Sequence, residues 1–261
     1  MDSLRKAVAL ARDTPEGIER EKSLVGPLGI DDIRYSQTRV VPIDPEHARE
    51  HRLVAGVGEP LARTFSTLAM QLLLKMRKYG FQTLGVVAPT AGTGGSFMAA
   101  NLALAMAREP NHTVLAVDAN MRDPGLADYY GIEPEFGLVD YLAAGVPIQE
   151  VIVNPGVKRL IIVPGRNAVE HADELLASKR MDQLMAEFRD RYESRVVIYD
   201  VPPLLDGADA LAVLPRIDCA LLVIREGRTS SKEIAAVKRV LQGTAMVGAV
   251  VNHGRHGFGG R

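Results

Sequence analysis

The amino-acid sequence predicts an α/β protein of three layers, with a mostly parallel central sheet covered by helices on both faces. Two observations carry this. Short runs at Leu84–Ala88, Val114–Val117, Leu160–Val163, Val196–Tyr199, Ala220–Ile224 and Met246–Val251 are rich in valine, isoleucine and leucine with little alternation, the pattern of strands buried on both faces. Helical stretches at Ser96–Arg108, Asp173–Arg191, Ala208–Leu214 and Ser230–Leu241 lie between them, and an order of strand, helix, strand makes a parallel sheet.

From the start of the chain to about Pro60, polar sequence broken by Pro15, Gly26, Pro27, Pro42 and Pro45 reads as a partly irregular N-terminal arm, residues 1–60. Leu61, Phe65, Leu68, Leu72 and Met76 then recur at helical spacing over Leu61–Tyr79, which suits a helix packed on a larger body. Gly80 follows at the position where a left-handed residue ends a helix. The main domain is expected to span residues 61–253, and the glycine-rich segment 254–261 to be a flexible tail.

Composition narrows the class further. The chain has 261 residues, 47% of them hydrophobic and 24% charged, with 31 basic and 32 acidic side chains. That near balance leaves no net field to draw the chain to nucleic acid. The single cysteine, Cys219, lies inside an apolar run, where a small core hydrophobe is favoured over a reactive thiol. Neither a disulfide framework nor a metal-type cysteine spacing is present, and a reducing compartment fits. Met1–Asp13 lacks an unbroken apolar core of the signal-peptide kind, and no run approaches the ~20 residues of a membrane helix. The expected location is the cytoplasm, with recruitment to the inner face of the plasma membrane through a partner.

The first apolar run leads into Pro89-Thr90-Ala91-Gly92-Thr93-Gly94-Gly95-Ser96, and an apolar helix follows. Strand, glycine-rich turn and helix form the context of a phosphate loop. There, backbone N–H groups converge on an anion and the helix N-terminus adds partial positive charge. Ser96 falls where a hydroxyl would hold Mg²⁺. The usual pattern G-x-x-x-x-G-K-[ST] is met only in its second half, with Gly95 where the lysine should stand. That lysine neutralises the β- and γ-phosphates, and its absence costs about 1.5–3 kcal/mol of binding. A dinucleotide turn, G-x-G-x-x-G, is excluded because Phe97 occupies its third glycine position.

Two more runs end in acids: Val117-Asp118-Ala119-Asn120-Met121-Arg122-Asp123-Pro124 and Tyr199-Asp200-Val201-Pro202-Pro203. A lone strand-end aspartate commonly caps a turn. In an open parallel sheet, however, strand C-termini share one edge, so Ser96, Asp118 and Asp200 are expected to meet around a single Mg²⁺–phosphate region.

Taken with Asn101-Leu102-Ala103, Gly137–Leu142, Glu174-Leu175-Leu176 and Gly248–Asn252, these phrases resemble the bacterial tyrosine kinases. The likeness is strongest to the autokinases of exosortase-type exopolysaccharide loci, themselves related to MinD/ParA-like P-loop NTPases. The resemblance runs from about Arg39 to Asn252. It implies ATP and Mg²⁺ as cofactors, with Ala91, Gly92, Thr93, Gly94, Gly95, Ser96 and Phe97 around the phosphates and Asn252 near the adenine. It implies Ser96, Asp118 and Asp200 as metal residues, and Asp118, Asp200 and Arg122 as the catalytic set. A membrane polysaccharide co-polymerase, and an active kinase relative, are the partners it suggests.

The departures from the family pattern point the other way. Gly95 replaces the lysine, and Asn120 replaces a second aspartate and cannot act as a base. Arg63, Ser66 and Ala69 stand where the family carries an E-x-x-R-x-x-R oligomerisation motif, and no tyrosine follows Tyr199 to serve as a tail acceptor. Two functional classes stay open: an ATP-dependent tyrosine autokinase, and a pseudokinase that keeps the fold while regulating a relative or the export machinery. A MinD-like ATPase is a weaker third, since the lysine it would need near Thr90 is missing.

Overall fold

The computed structural model describes residues 38–54, 60–191 and 194–252. In chain order these form β1 (Arg39–Val40), α1 (Pro45–Glu50), α2 (Pro60–Tyr79), β2 (Thr83–Val87), α3 (Gly95–Ala107), β3 (Thr113–Asp118) and α4 (Leu126–Tyr129). After a π-helical turn at Asp140–Ala144 come α5 (Ile148–Val151), β4 (Val153–Asn154), β5 (Leu160–Val163), α6 (Ala172–Leu176) and α7 (Lys179–Asp190). The chain continues through β6 (Arg195–Asp200), α8 (Asp209–Val213), a 3-10 turn at Leu214–Arg216, β7 (Cys219–Arg225), α9 (Ser231–Val240) and β8 (Ala245–Asn252). The tail segment 254–261 and the first 37 residues of the expected arm lie outside the described residues.

The strands make one eight-stranded sheet in the order β1-β4-β5-β3-β6-β2-β7-β8. Every neighbouring pair is parallel except β4 and β5. This is the three-layer α/β P-loop architecture that the sequence predicts. Successive residues of a strand point to opposite faces, so Val114 and Ala116 enter the core beneath α2 and α3, while Leu115 and Val117 enter the core beneath α6 and α7. Helix α3 is buried from Met98 to Ala107, as a helix apolar on all sides should be; α2 covers it with Phe65, Ala69, Leu72 and Met76.

Helix α2 ends as predicted. Gly80 has φ of 69°, and the N–H groups of Phe81 and Gly80 donate to the carbonyls of Met76 and Arg77, the paired bonds of a Schellman cap. The stretch Asp173–Arg191, expected to be one helix, is two. Ser178 takes an extended backbone conformation and its hydroxyl accepts the Met181 N–H, so it starts α7 afresh.

Part of the segment read as an irregular arm is built into the domain. Strand β1 pairs with β4, and the Val41 N–H donates to the Asn154 carbonyl at 2.8 Å. Asp44 caps α1 by accepting the N–H groups of Glu46 and His47. The segment is then pinned to α3: the Val54 N–H donates to Asn101 Oδ1 at 2.8 Å, and the Arg108 guanidinium donates to the Val54 carbonyl at 2.8 Å. These links join residues far apart in sequence, which is why local patterning does not reveal them.

Asn101 is fully buried, and its Nδ2 also donates to the Phe97 carbonyl. Asn101→Ala strands the Val54 N–H and should lower stability by about 1–3 kcal/mol. A urea unfolding midpoint equal to that of the natural protein would show that this amide does not anchor the segment.

Candidate functional site

The strand register brings the sequence-predicted acids together. Asp118 and Asp200 are direct partners on β3 and β6, and Asp200 is also level with Val86 of β2, two residues before Ala88. The C-terminal ends of β2, β3 and β6 therefore open on one edge, the place where open α/β sheets bind ligands. A cleft of 370 Å³ lies there, lined by the loop from Thr90 to Ser96, by Asn120, Arg122 and Asp123, by Asp200 to Pro203, and by Asp206 and Asp209.

The loop is held in shape by groups from distant parts of the chain. Asn252 Nδ2 donates to the Thr93 carbonyl at 3.0 Å, Arg225 Nη1 to the Gly92 carbonyl at 2.9 Å, and the Thr93 hydroxyl to the Thr90 carbonyl at 2.8 Å. The Ala91 N–H donates to Asp206 Oδ2 at 2.9 Å. Gly94 has φ of 98°, and a Cβ there would lie 2.1 Å from Asn252 Nδ2. Only glycine meets both demands. Gly94 caps α3 without a side-chain hydrogen bond, so the N-terminal amides of a 13-residue helix face the cleft without a capping side chain of their own, and the helix dipole favours an anion there.

Asp200 is 1% exposed, accepts a hydrogen bond from Ser96, and leaves Oδ2 buried without a partner among the described residues. Asn120 Oδ1 is buried and unpartnered in the same way. An orphaned oxygen of Asp200 beside the Ser96 hydroxyl, with a second orphaned oxygen from Asn120 in the same lining, fits a hard cation, which takes oxygen ligands. The residues present therefore fit Mg²⁺, with Ser96 and Asp200 placed to hold it, and the uncapped helix start fits phosphate.

Asp118 stands one layer deeper. It is fully buried and does not line the cleft; Oδ1 accepts the Asn120 N–H at 3.1 Å and Oδ2 accepts the Leu126 N–H at 3.0 Å. Gly165 closes over it, since a Cβ there would sit 2.6 Å from Pro124 Cβ and 3.4 Å from Asp118 Oδ2. Burial, and next the neighbouring Asp200, raise the Asp118 carboxyl well above the usual carboxylate range. Burial likewise pushes Asp200 up to about 7, against the opposing pull of the Ser96 hydrogen bond. Two acids on adjacent strands in a dry setting cannot both ionise cheaply, so without a cation the pair retains a proton near neutrality.

The remaining predicted residues divide. Ala91 to Ser96 and Arg122 line the cleft. The Phe97 ring does not: it packs edge-on against Phe65, with centroids 6.0 Å apart, and lies beside Tyr129. The amide of Asn252 braces the loop from Thr93. The lining also contains Tyr129, which the sequence offers as a half-buried aromatic ahead of a phosphoacceptor, and Asp123, Asp206 and Asp209, to which sequence reasoning gave no role. The phrase Pro202-Pro203-Leu204-Leu205-Asp206-Gly207-Ala208-Asp209, with two acids soon after a strand-end aspartate, was the available signal.

A Cβ on Gly95 would lie 3.7 Å from both Ala88 Cβ and Asp200 Oδ1, so the absent lysine is not excluded by crowding at its first carbon.

No protein-family model matches the chain. It is 30% identical over 224 residues to the tyrosine-protein kinase YwqD of Bacillus subtilis, covering 82% of this chain and 93% of that protein. EpsB of Ralstonia solanacearum is 32% identical over 210 residues, and the chain spans only 28% of its length. The succinoglycan biosynthesis transport protein ExoP of Rhizobium meliloti is 31% identical over 159 residues, of which 19% of its length is matched. Among solved structures, the BceF tyrosine kinase domain superposes with a TM-score of 0.68 at 26% identity, covering 82% of this chain and 91% of that one. The cell division ATPase MinD of Pyrococcus furiosus superposes with a TM-score of 0.58 at 25% identity, over 67% of this chain and 73% of that one. A near-complete match to YwqD, on a sheet whose edge carries the phosphate loop and both acids, establishes that the chain belongs to the bacterial tyrosine-kinase (BY-kinase) family.

Proposed function

We propose that this chain is a degenerate member of its family: a regulatory binding module for exopolysaccharide synthesis or export, with nucleotide binding weakened or lost and no phosphotransfer of its own. One observation carries the reading. The cleft keeps its shape, its serine and its buried aspartate, but Gly95 leaves the phosphate loop without a cation. The acids Asp123, Asp200, Asp206 and Asp209 line the same space. A γ-phosphate moving through the transition state has no lysine to follow its charge, and acids crowd the space it would cross.

The relatives support a biological setting in polysaccharide export. ExoP is named for succinoglycan transport, and the chain matches only a minor part of ExoP and EpsB. Action at the cytoplasmic face beside a membrane polysaccharide co-polymerase, or on an active kinase relative, accords with this. Among the described residues no helix is long and apolar enough to cross a membrane. The alternative, an active autokinase using Mg²⁺ and ATP, is favoured by the Ser96–Asp200 arrangement, in which the metal would offset phosphate charge and Asp118 would prepare an acceptor hydroxyl. Against it, both Asp118 oxygens are occupied by backbone donors.

Calorimetric titration with Mg²⁺–ATP should give weak or undetectable binding, with no transfer of radiolabelled phosphate to tyrosine. Gly95→Lys should tighten binding by about 10- to 100-fold, as restoring a charged donor does. Robust tyrosine phosphorylation by the natural protein would reject the reading.

The carboxyl pair makes a second prediction, with a definite sign. The folded-state pKa of Asp200 is raised from 3.8 to about 7, so the folded chain holds a proton that the unfolded chain releases. Its stabilising contribution is full below the unfolded value and is lost as pH rises through the folded value. In EDTA, stability to urea should fall by the order of a few kcal/mol between pH 4 and 8. Asp200→Asn should flatten this decline and exceed the natural protein in stability at pH 8. A flat profile for the natural protein, or an unchanged slope in the variant, would contradict the buried shared proton.

A further inference from the structure

Among the described residues that line the cleft, Arg122 is the single cation. Its side chain is 47% exposed, and its placement is not left to chance. Asp209, the first residue of α8 and 3% exposed, accepts from Arg122 Nε at 2.5 Å and from Nη2 at 3.0 Å. Asp173 of α6 adds a second carboxylate 3.6 Å from Nη2. Guanidinium is planar and carries five N–H donors in a fixed fork. Asp209 takes the edge made by Nε and Nη2, so the orientation of the group is set while the Nη1 edge stays uncommitted among the described residues.

This geometry answers a specific difficulty. An arginine without such a clamp, in a cleft that also holds Asp123, Asp200 and Asp206, would be drawn onto those acids and fill the space a phosphate needs. Asp209 binds it bidentately from a buried position instead, a strong and directional form of ion pair. Arg122 arises from the loop after β3 and the lysine position from the start of α3, so the two would bring charge into the same cleft from different elements.

We propose that Arg122 is the cation that meets the phosphates of a Mg²⁺-bound nucleoside di- or triphosphate in this cleft, in place of the absent lysine, and that Asp209 is the positioning residue that holds it. The proposal rests on the weak-binding reading above, and it adds that the residual affinity is real and depends on one ion pair. It also assigns Asp209 a role in ligand recognition beyond joining α8 to the cleft.

The test is a double-mutant cycle with the full chain, titrating Mg²⁺–ADP by calorimetry. Arg122→Gln should weaken binding about tenfold, the worth of a charged hydrogen bond. Asp209→Asn should weaken it to a smaller extent, and Asp209→Glu should recover most of the loss. In the Gly95→Lys background, Arg122→Gln should cost less than about threefold, because the lysine then supplies the same charge. A purely structural role would give the same loss in both backgrounds, and that outcome overturns the proposal. Equal binding by the natural protein and Arg122→Gln also overturns it, as does the absence of any Mg²⁺–ADP binding at millimolar concentration. The last result would leave the regulatory reading standing, whereas tyrosine phosphotransfer by the natural protein would defeat that reading and leave the Arg122 cycle to be judged on its own.

Discussion

The parallel pairing of β3, β6 and β2 is the constraint from which the site follows. Because these strands run the same way and lie side by side, their C-terminal ends share an edge, and register alone makes Asp118 and Asp200 neighbours. Antiparallel pairing would send the same two aspartates to opposite ends of the sheet. The hydrophobic faces enforce this arrangement, since shifting a strand by one residue would turn its buried face toward the other core. Site geometry and core packing are thus one specification, and the acids cannot separate without unmaking the layers beneath them.

Around that edge, the phosphate loop is shaped by residues from several other elements. Asn252 closes β8, Arg225 closes β7, and Asp206 lies beyond β6, yet each binds a backbone group of the loop. The shape of the cup therefore does not depend on a side chain at position 95. Charge is a separate matter: Gly95 brings none, and the lining sets Arg122 among Asp123, Asp200, Asp206 and Asp209. Packing maintains the shape of such a cavity, whereas individual side chains supply its electrostatics.

Much of the fold was legible because it rests on local pattern. The six buried strands, the stripe of α2 and the glycine that ends it appear where hydrophobic period and cap chemistry place them. The short strands β1 and β4 and helix α1 were not legible. They hold few residues and are secured by partners remote in sequence, such as Asn154 for Val41 and Asn101 for Val54. Ser178 shows a subtler failure, since a serine within an apolar helical stripe reads as helix interior until its hydroxyl is seen capping a new helix.

The sequence by itself determined the α/β layering, the phosphate loop with glycine at its lysine position, and the two acids that end their strands. Each of these is a matter of residue type at short range, where period, turn chemistry and motif spacing act. Only the tertiary structure decided that Asp118 is sealed behind the cleft, that the Phe97 ring packs against the core, and that Asp209 grips Arg122. Those outcomes turn on which distant groups share a dry space and how their charges and hydrogen bonds are satisfied there, a quantity no local stretch of chain contains.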